Sequence, residues 1–206
     1  MRLCESVESL KGDGKQSMLY AKTEPEPYLF SYAFTKKALL IGQRAYCEEF
    51  GFEASSLVLP TVYGVRGDFS ETSHVIGALI GKFARAKKDN LPSVEVWGDG
   101  SQVREFIHVD DVVDALLLVA ERPIGTDVMN LGTSVGVSVG RLADLIRGIV
   151  GYEGAVDYNT DRFVGAAARV LDSSKFLRET GWRPRVPLEV GLRKVIEAYA
   201  TQIDGC

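Results

Sequence analysis

Ser55-Ser-Leu-Val-Leu-Pro60 is a short apolar run bounded by turn-forming residues, the pattern of a strand buried on both faces of a parallel sheet. Such a strand needs helices to cover it, and one precedes it. Tyr32, Leu39, Leu40, Ala45 and Tyr46 recur at helical spacing from Ser31 to about Phe50, and Gly51 is placed to end the run. Beyond the strand, Thr61-Val-Tyr-Gly64 leaves its carboxyl end, where α/β sheets bind ligands, so a site is expected near Tyr63. Further helices are predicted over roughly 73–88, from an Asp110 cap to about Glu121, from a Ser138 cap to near Val150, briefly from Asp172, and from Pro187 to Ile203. Val94-Glu-Val-Trp97 and Val128-Met-Asn-Leu131 predict two more strands. Residues 1–30 read as a strand end and a long loop, after Gly12, Gly14, Pro25 and Pro27.

The first predicted helix carries Tyr32-Ala-Phe-Thr-Lys36. A Tyr and a Lys four residues apart share one helix face, where the ammonium can lower the phenol's pKa and ready it for proton transfer.

Composition removes several classes of protein. With 46% hydrophobic and 25% charged residues the chain is neither disordered nor fibrous. Runs such as Ala115-Leu-Leu-Leu-Val-Ala120 fall short of a membrane span, and Cys4 and Glu5 interrupt any signal-peptide core, so a cytoplasmic location is expected. Cys4, Cys47 and Cys206 are scattered, with no spacing for a disulfide framework or a zinc site. A net charge of −4 argues against general nucleic-acid binding and leaves room for a local basic pocket. Neither Gly12-Asp-Gly-Lys15 nor the Gly132, Gly136, Gly140 series has the spacing of a phosphate-binding loop.

Five motifs then occur in a fixed order: Tyr32-x-x-x-Lys36, Pro60-Thr-Val-Tyr-Gly64, Arg104-Glu-Phe-Ile-His-Val-Asp-Asp111, Asn130-Leu-Gly-Thr133 and Gly181-Trp-Arg-Pro184. In this the chain resembles the extended short-chain dehydrogenase/reductases, the NAD-dependent epimerases and dehydratases of nucleotide sugars. Ser73-His-Val-Ile76, Ala78-Leu79 and Val96-Trp-Gly98 look most like the GDP-L-fucose synthase group within that family.

The resemblance implies an α/β fold: a partial doubly wound, Rossmann-like parallel sheet, truncated at the amino terminus, with a smaller carboxyl-terminal substrate-binding lobe. Residues 1–65 would be the end of the NAD(P)-binding domain with its catalytic helix. Residues 66–206 would be mainly the substrate lobe, with segments near 107–135 returning to the first domain. Only thirty-one residues precede Tyr32, so the strand and glycine-rich turn that cradle a cofactor's pyrophosphate are expected to be missing.

Roles carried over by resemblance are specific. Tyr32 and Lys36 would handle the proton at the sugar oxygen and hold the nicotinamide ribose, while NADP or NAD, with NADP favoured, carries the hydride. Pro60 and Val62 would also touch the cofactor. Ser6 stands in the register of the family's hydroxyl partner to the Tyr, with Ser9 and Ser17 as rivals. Glu8 stands where fucose synthases carry a Cys and sugar dehydratases or decarboxylases a Glu, so it would serve elimination, bind a hydroxyl or be an ordinary surface residue. His74 matches a second acid/base, or starts a helix structurally, whereas His108 matches a structural position. Thr61, Lys82, Trp97, Arg104 and Arg169 would bind a nucleotide-diphosphate sugar, a GDP-sugar being favoured, with Arg104 suited to bidentate contact with a phosphate. No metal is expected.

Three readings stay open: a truncated epimerase/reductase; a dehydratase or decarboxylase; or an inactive remnant that binds a nucleotide sugar or a homologous chain. A homodimer through the Tyr32 helix, or pairing with a complementing chain, follows from the same resemblance. No membrane partner is expected.

Overall fold

At Leu59-Pro60 the chain changes partners, so the single strand expected over residues 55–60 is in fact the start of two. The computed structural model describes residues 30–122, 124, 125, 128–162 and 164–204. Helix α1 (Phe30–Phe50) leads into β1 (Ser56–Val58), which pairs in parallel with β5 (Val128–Asn130). Proline has no N–H to give to a ladder, and past it β2 (Thr61–Tyr63) pairs instead with β4 (Val103–His108), Tyr63 opposite His108.

The β4 strand organises the rest. Its second half takes β2, while Val103–Glu105 takes β6 (Gly136–Ser138) antiparallel and β8 (Ala168–Arg169) in parallel. A separate parallel ladder joins β3 (Ser93–Trp97) to β7 (Ala155–Asn159). Strands β4, β6, β7 and β8 were not anticipated: β6 and β8 are short, β7 is half-exposed, and β4, although its second half is buried, finds its partners, as they do, far away in sequence. The β7 strand, where the apolar pattern weakens after Gly154, rests against β3 alone and leaves Ala155, Asp157 and Tyr158 exposed.

Helices α2 (Val75–Lys88), α4 (Val139–Val150) and α6 (Leu188–Asp204) enclose the larger core, in which Ile80, Phe83, Leu142, Ile146 and Leu192 are fully buried. Gly77 and Gly81, one turn apart on α2, let the Asp68 and Phe69 carbonyls come against the helix where any Cβ would collide. A second core gathers Ile107, Met129, Leu131, Phe176 and Trp182 beneath α3 (Val109–Glu121) and α5 (Ser174–Thr180). No helix of the described residues is long and apolar enough to cross a membrane.

Caps explain several helix boundaries. Ser138 accepts from Arg141 N–H at 3.1 Å, as the sequence predicts, and Gly51 closes α1 at a φ of 65°. Asp110 does not cap α3. His108 does, its Nδ1 accepting from Asp110 N–H at 3.3 Å, because β4 runs straight into the helix without a loop to seat an acidic cap. The buried carboxylate of Asp111 accepts instead from the N–H groups of Arg185 and Val186, at 2.8 and 3.1 Å, and so ties α3 to the segment before α6.

Tyr63 is buried edge-on to His108, with ring centres 5.2 Å apart, and its hydroxyl reaches the Leu188 carbonyl at 3.4 Å. Burial, and then the charge of Asp111, holds its pKa far above the usual phenol range. A pKa raised on folding gives stability that is full below the ordinary tyrosine value of about 10 and is lost as pH climbs towards the folded value. Alkaline titration followed by circular dichroism should therefore destabilise the chain above about pH 10, and Tyr63→Phe should flatten that limb. An identical alkaline limb in the variant would show that Tyr63 is not the group responsible.

Candidate functional site

A cleft of about 190 Å³ opens between α2, β3 and β4, with Leu79, Lys82, Glu95, Trp97, Gln102 and Arg104 among its walls. Three of the five predicted substrate residues, Lys82, Trp97 and Arg104, thus meet in one place although they come from three elements. Lys82 projects from the covered face of α2, where its ammonium donates to the Glu95 carbonyl at 2.9 Å and lies 5.3 Å from the centre of the Trp97 ring. The Arg162 guanidinium stands 5.2 Å from the same ring. Partial burial lowers the Lys82 pKa, an effect opposed by the charges of Glu95 and Glu71.

Arg104 enters from β4. Its guanidinium donates to the Val103 carbonyl at 2.7 Å and the Val164 carbonyl at 2.9 Å, which fixes the fork against the cleft. Arg169 is its lateral neighbour in the β4–β8 register, so the two side chains leave the same face of the ladder. Among the described residues, the Nε and Nη2 atoms of Arg169 are buried without a hydrogen-bond partner. Two adjacent guanidiniums, one with unused buried donors, suit a polyanion.

Sequence reasoning missed Glu95, Gln102 and Arg162. Glu95 and Trp97 alternate with buried Val94 and Val96, so they share the open face of β3. In a sequence that alternation reads as solvent-facing, and nothing in it shows that a cleft lies over the polar face. The Glu95 carboxylate accepts from Asn159 Nδ2 at 2.8 Å and from Trp97 Nε1 at 3.0 Å. Its pKa is held low first by the Asn159 bond and further by Arg162, Trp97 and Lys82.

The other predicted residues lie outside this cleft. His74 is exposed at the N-cap of α2 and makes no capping bond, between Ser73 and Val75, which do line the cleft. Tyr32 and Lys36 are together as expected, the ammonium 5.4 Å from the ring centre, on a helix face where Tyr32 is 61% exposed. Pro60, between β1 and β2, and Thr61, the first residue of β2, are half-buried, and Val62 is exposed. Tyr63, near which a site was expected, is itself buried in the core and does not line this cleft. Ser6 and Glu8, with the rivals Ser9 and Ser17, lie outside the described residues. Among the described residues no cluster of His, Cys, Asp and Glu could hold a metal ion.

Comparison with known proteins adds four findings. The model of the NAD dependent epimerase/dehydratase family matches residues 6–132. "Probable GDP-L-fucose synthase 1" of Oryza sativa subsp. japonica is 36% identical, over 97% of this chain and 65% of that protein. Among solved structures, a GDP-6-OMe-4-keto-L-xylo-heptose reductase from C. jejuni superposes with a TM-score of 0.79 at 27% identity, covering 93% of this chain and 66% of that one. A GDP-L-fucose synthetase from Naegleria fowleri bound to NADP gives 0.82 at 21% identity, a likeness of fold, over 89% and 59% of the two chains. The chain spans less than two thirds of the length of each of these relatives.

Proposed function

The chain belongs to the NAD-dependent epimerase/dehydratase family, and on that premise we propose that it is the catalytic-helix and substrate-binding part of a nucleotide-sugar epimerase/reductase of the GDP-L-fucose synthase type. The observation that carries this reading is the convergence of Lys82, Trp97 and Arg104 on one cleft with Arg169 beside Arg104. In it the guanidiniums take the diphosphate and the indole flanks the nucleoside. Residues 66–206 supply this lobe, and residues up to 65 the catalytic helix.

NADP, favoured over NAD by the sequence resemblance, would supply the hydride. The Tyr32–Lys36 pair fits a nicotinamide ribose, since phenol and ammonium already share one helix face. Lys36 would hold the ribose and favour the tyrosinate, and Tyr32 would move the proton at the sugar oxygen. His74, at the rim of the cleft, is the candidate second acid/base. The same reading keeps the protein in the cytoplasm.

Among the described residues no G-x-x-G-x-x-G turn runs from a strand into a helix, so the chain by itself is expected to bind nucleotide without turning over. Titration followed by tryptophan fluorescence tests this. Trp182 is buried in the second core while Trp97 is 40% exposed in the cleft, so a ligand-dependent change reports Trp97. GDP should bind saturably at one site per chain and NADPH should not. Absence of GDP binding would remove the reading, and stoichiometric NADPH binding would show that a cofactor site is complete.

A second reading is favoured by α1, where Phe30, Tyr32, Phe34, Leu39, Ile41, Tyr46 and Phe50 are all more than half exposed. In that reading the chain binds the nucleotide sugar and pairs through α1 with another copy or a homologous chain. Sedimentation of a stable monomer, with that face open, would remove it.

A further inference from the structure

We propose that Glu95 is the specificity-determining residue that reads the base, selecting guanine over uracil through the Watson–Crick edge. The inference rests on the nucleotide cleft proposed above and goes beyond it, to the group that distinguishes one nucleotide class from another.

A carboxylate presents two parallel acceptors. Guanine is the common base that presents two adjacent donors, N1–H and the N2 amino group, whereas uracil shows one N–H between two carbonyls and adenine pairs a donor with an acceptor. Glu95 lines the cleft two residues before Trp97, on the same face of β3. Its orientation is set in advance: Oε2 accepts from Asn159 Nδ2 at 2.8 Å and Oε1 from Trp97 Nε1 at 3.0 Å. Each oxygen therefore keeps one lone-pair direction for a ligand. Arg162 Nε stands 3.6 Å from Oε1, beyond hydrogen-bond distance, and Lys82 is committed to the backbone carbonyl of Glu95 rather than to its carboxylate.

The other carboxylate of the cleft, Glu71, is 70% exposed and faces Arg85 at 3.5 Å, so it lacks that fixed geometry. The ends of the cleft differ in character. Glu95 and Trp97 come from the β3–β7 ladder, and Arg104 from β4, which places a base reader and a phosphate clamp on separate walls.

The test compares GDP, inosine diphosphate and UDP on the 206-residue chain and on Glu95→Gln, with calorimetric dissociation constants. Inosine diphosphate lacks only the N2 amino group, so in the unmodified chain it should bind about tenfold more weakly than GDP, and UDP weaker still. Glutamine keeps the size but turns a donor toward the donors of guanine. Glu95→Gln should therefore lose about ten- to hundredfold in GDP affinity, leave UDP within about twofold and abolish the difference between GDP and inosine diphosphate. Equal binding of GDP and inosine diphosphate by the unmodified chain, which needs no variant, would overturn the proposal. So would an unchanged GDP-to-UDP ratio in Glu95→Gln. If the unmodified chain bound none of the three, the nucleotide cleft itself would fall, and this inference with it.

Discussion

Glu105→Ala is expected to destabilise the chain by about 3–5 kcal/mol, because buried donors left without acceptors cost about 1–3 kcal/mol each. Glu105 is 1% exposed, yet its carboxylate is satisfied by main chain from two distant segments. Oε1 accepts from the N–H groups of Thr133 and Ser134, at 2.5 and 2.8 Å, and from the Thr133 hydroxyl at 3.3 Å, while Oε2 accepts from Leu171 N–H at 2.6 Å. Burial pushes its pKa up, and the same N–H groups draw it part of the way back. Alanine would strand three backbone donors. Glutamine would fare no better, since its amide nitrogen must face one of them. Urea unfolding at neutral pH measures the loss, and a shift in ΔG below about 1.5 kcal/mol would mean that water replaces the carboxylate and that the staple is dispensable.

The second large effect is on binding. Arg104→Ala is expected to weaken GDP binding by about 50-fold, within the roughly 1.5–3 kcal/mol of a charge-assisted hydrogen-bonding pair. Arg104 is held in place by the Val103 and Val164 carbonyls, so its fork is oriented before a ligand arrives. Lysine, a single point charge, should recover only part of the loss. Arg169→Ala should cost less, about tenfold, because Arg104 lines the cleft and Arg169 stands beside it. A guanine nucleoside without phosphate should bind both variants as it binds the unmodified chain. If GDP affinity changed less than threefold in Arg104→Ala, the diphosphate would have to lie elsewhere.

What could be read from the sequence follows the range over which each signal acts. Helices α1, α2, α4 and α6 were legible because their apolar spacing and terminators, Ser138 and Gly51 among them, act within one or two turns. Strands β4 and β6–β8 were not, since what makes them strands is a partner 30 to 65 residues away, as in Val103 opposite Ser138 and Ala168. The Pro60 break was visible as a residue but not as a change of ladder. In the site, Lys82, Trp97 and Arg104 were named through family motifs and do share a cleft. Glu95 carried no motif, and an acidic residue in an alternating strand looks like a solvated one. His108 was set aside as structural, and the structure gives it the capping role expected of Asp110.

The walls of the cleft belong to ladders that share no hydrogen bonds, β3–β7 on one side and the β4 sheet on the other. Side chains of both, Val94, Val96 and Val156 with Phe106 and Val137, meet in the larger core, so packing rather than backbone bonding couples them when no ligand is bound. A nucleotide gripped by Trp97 on one wall and Arg104 on the other is absent from every state in which either ladder is open, so its binding raises the free energy of opening of both at once. The ligand then adds, across the cleft, a second link between two ladders already joined beneath it by the core.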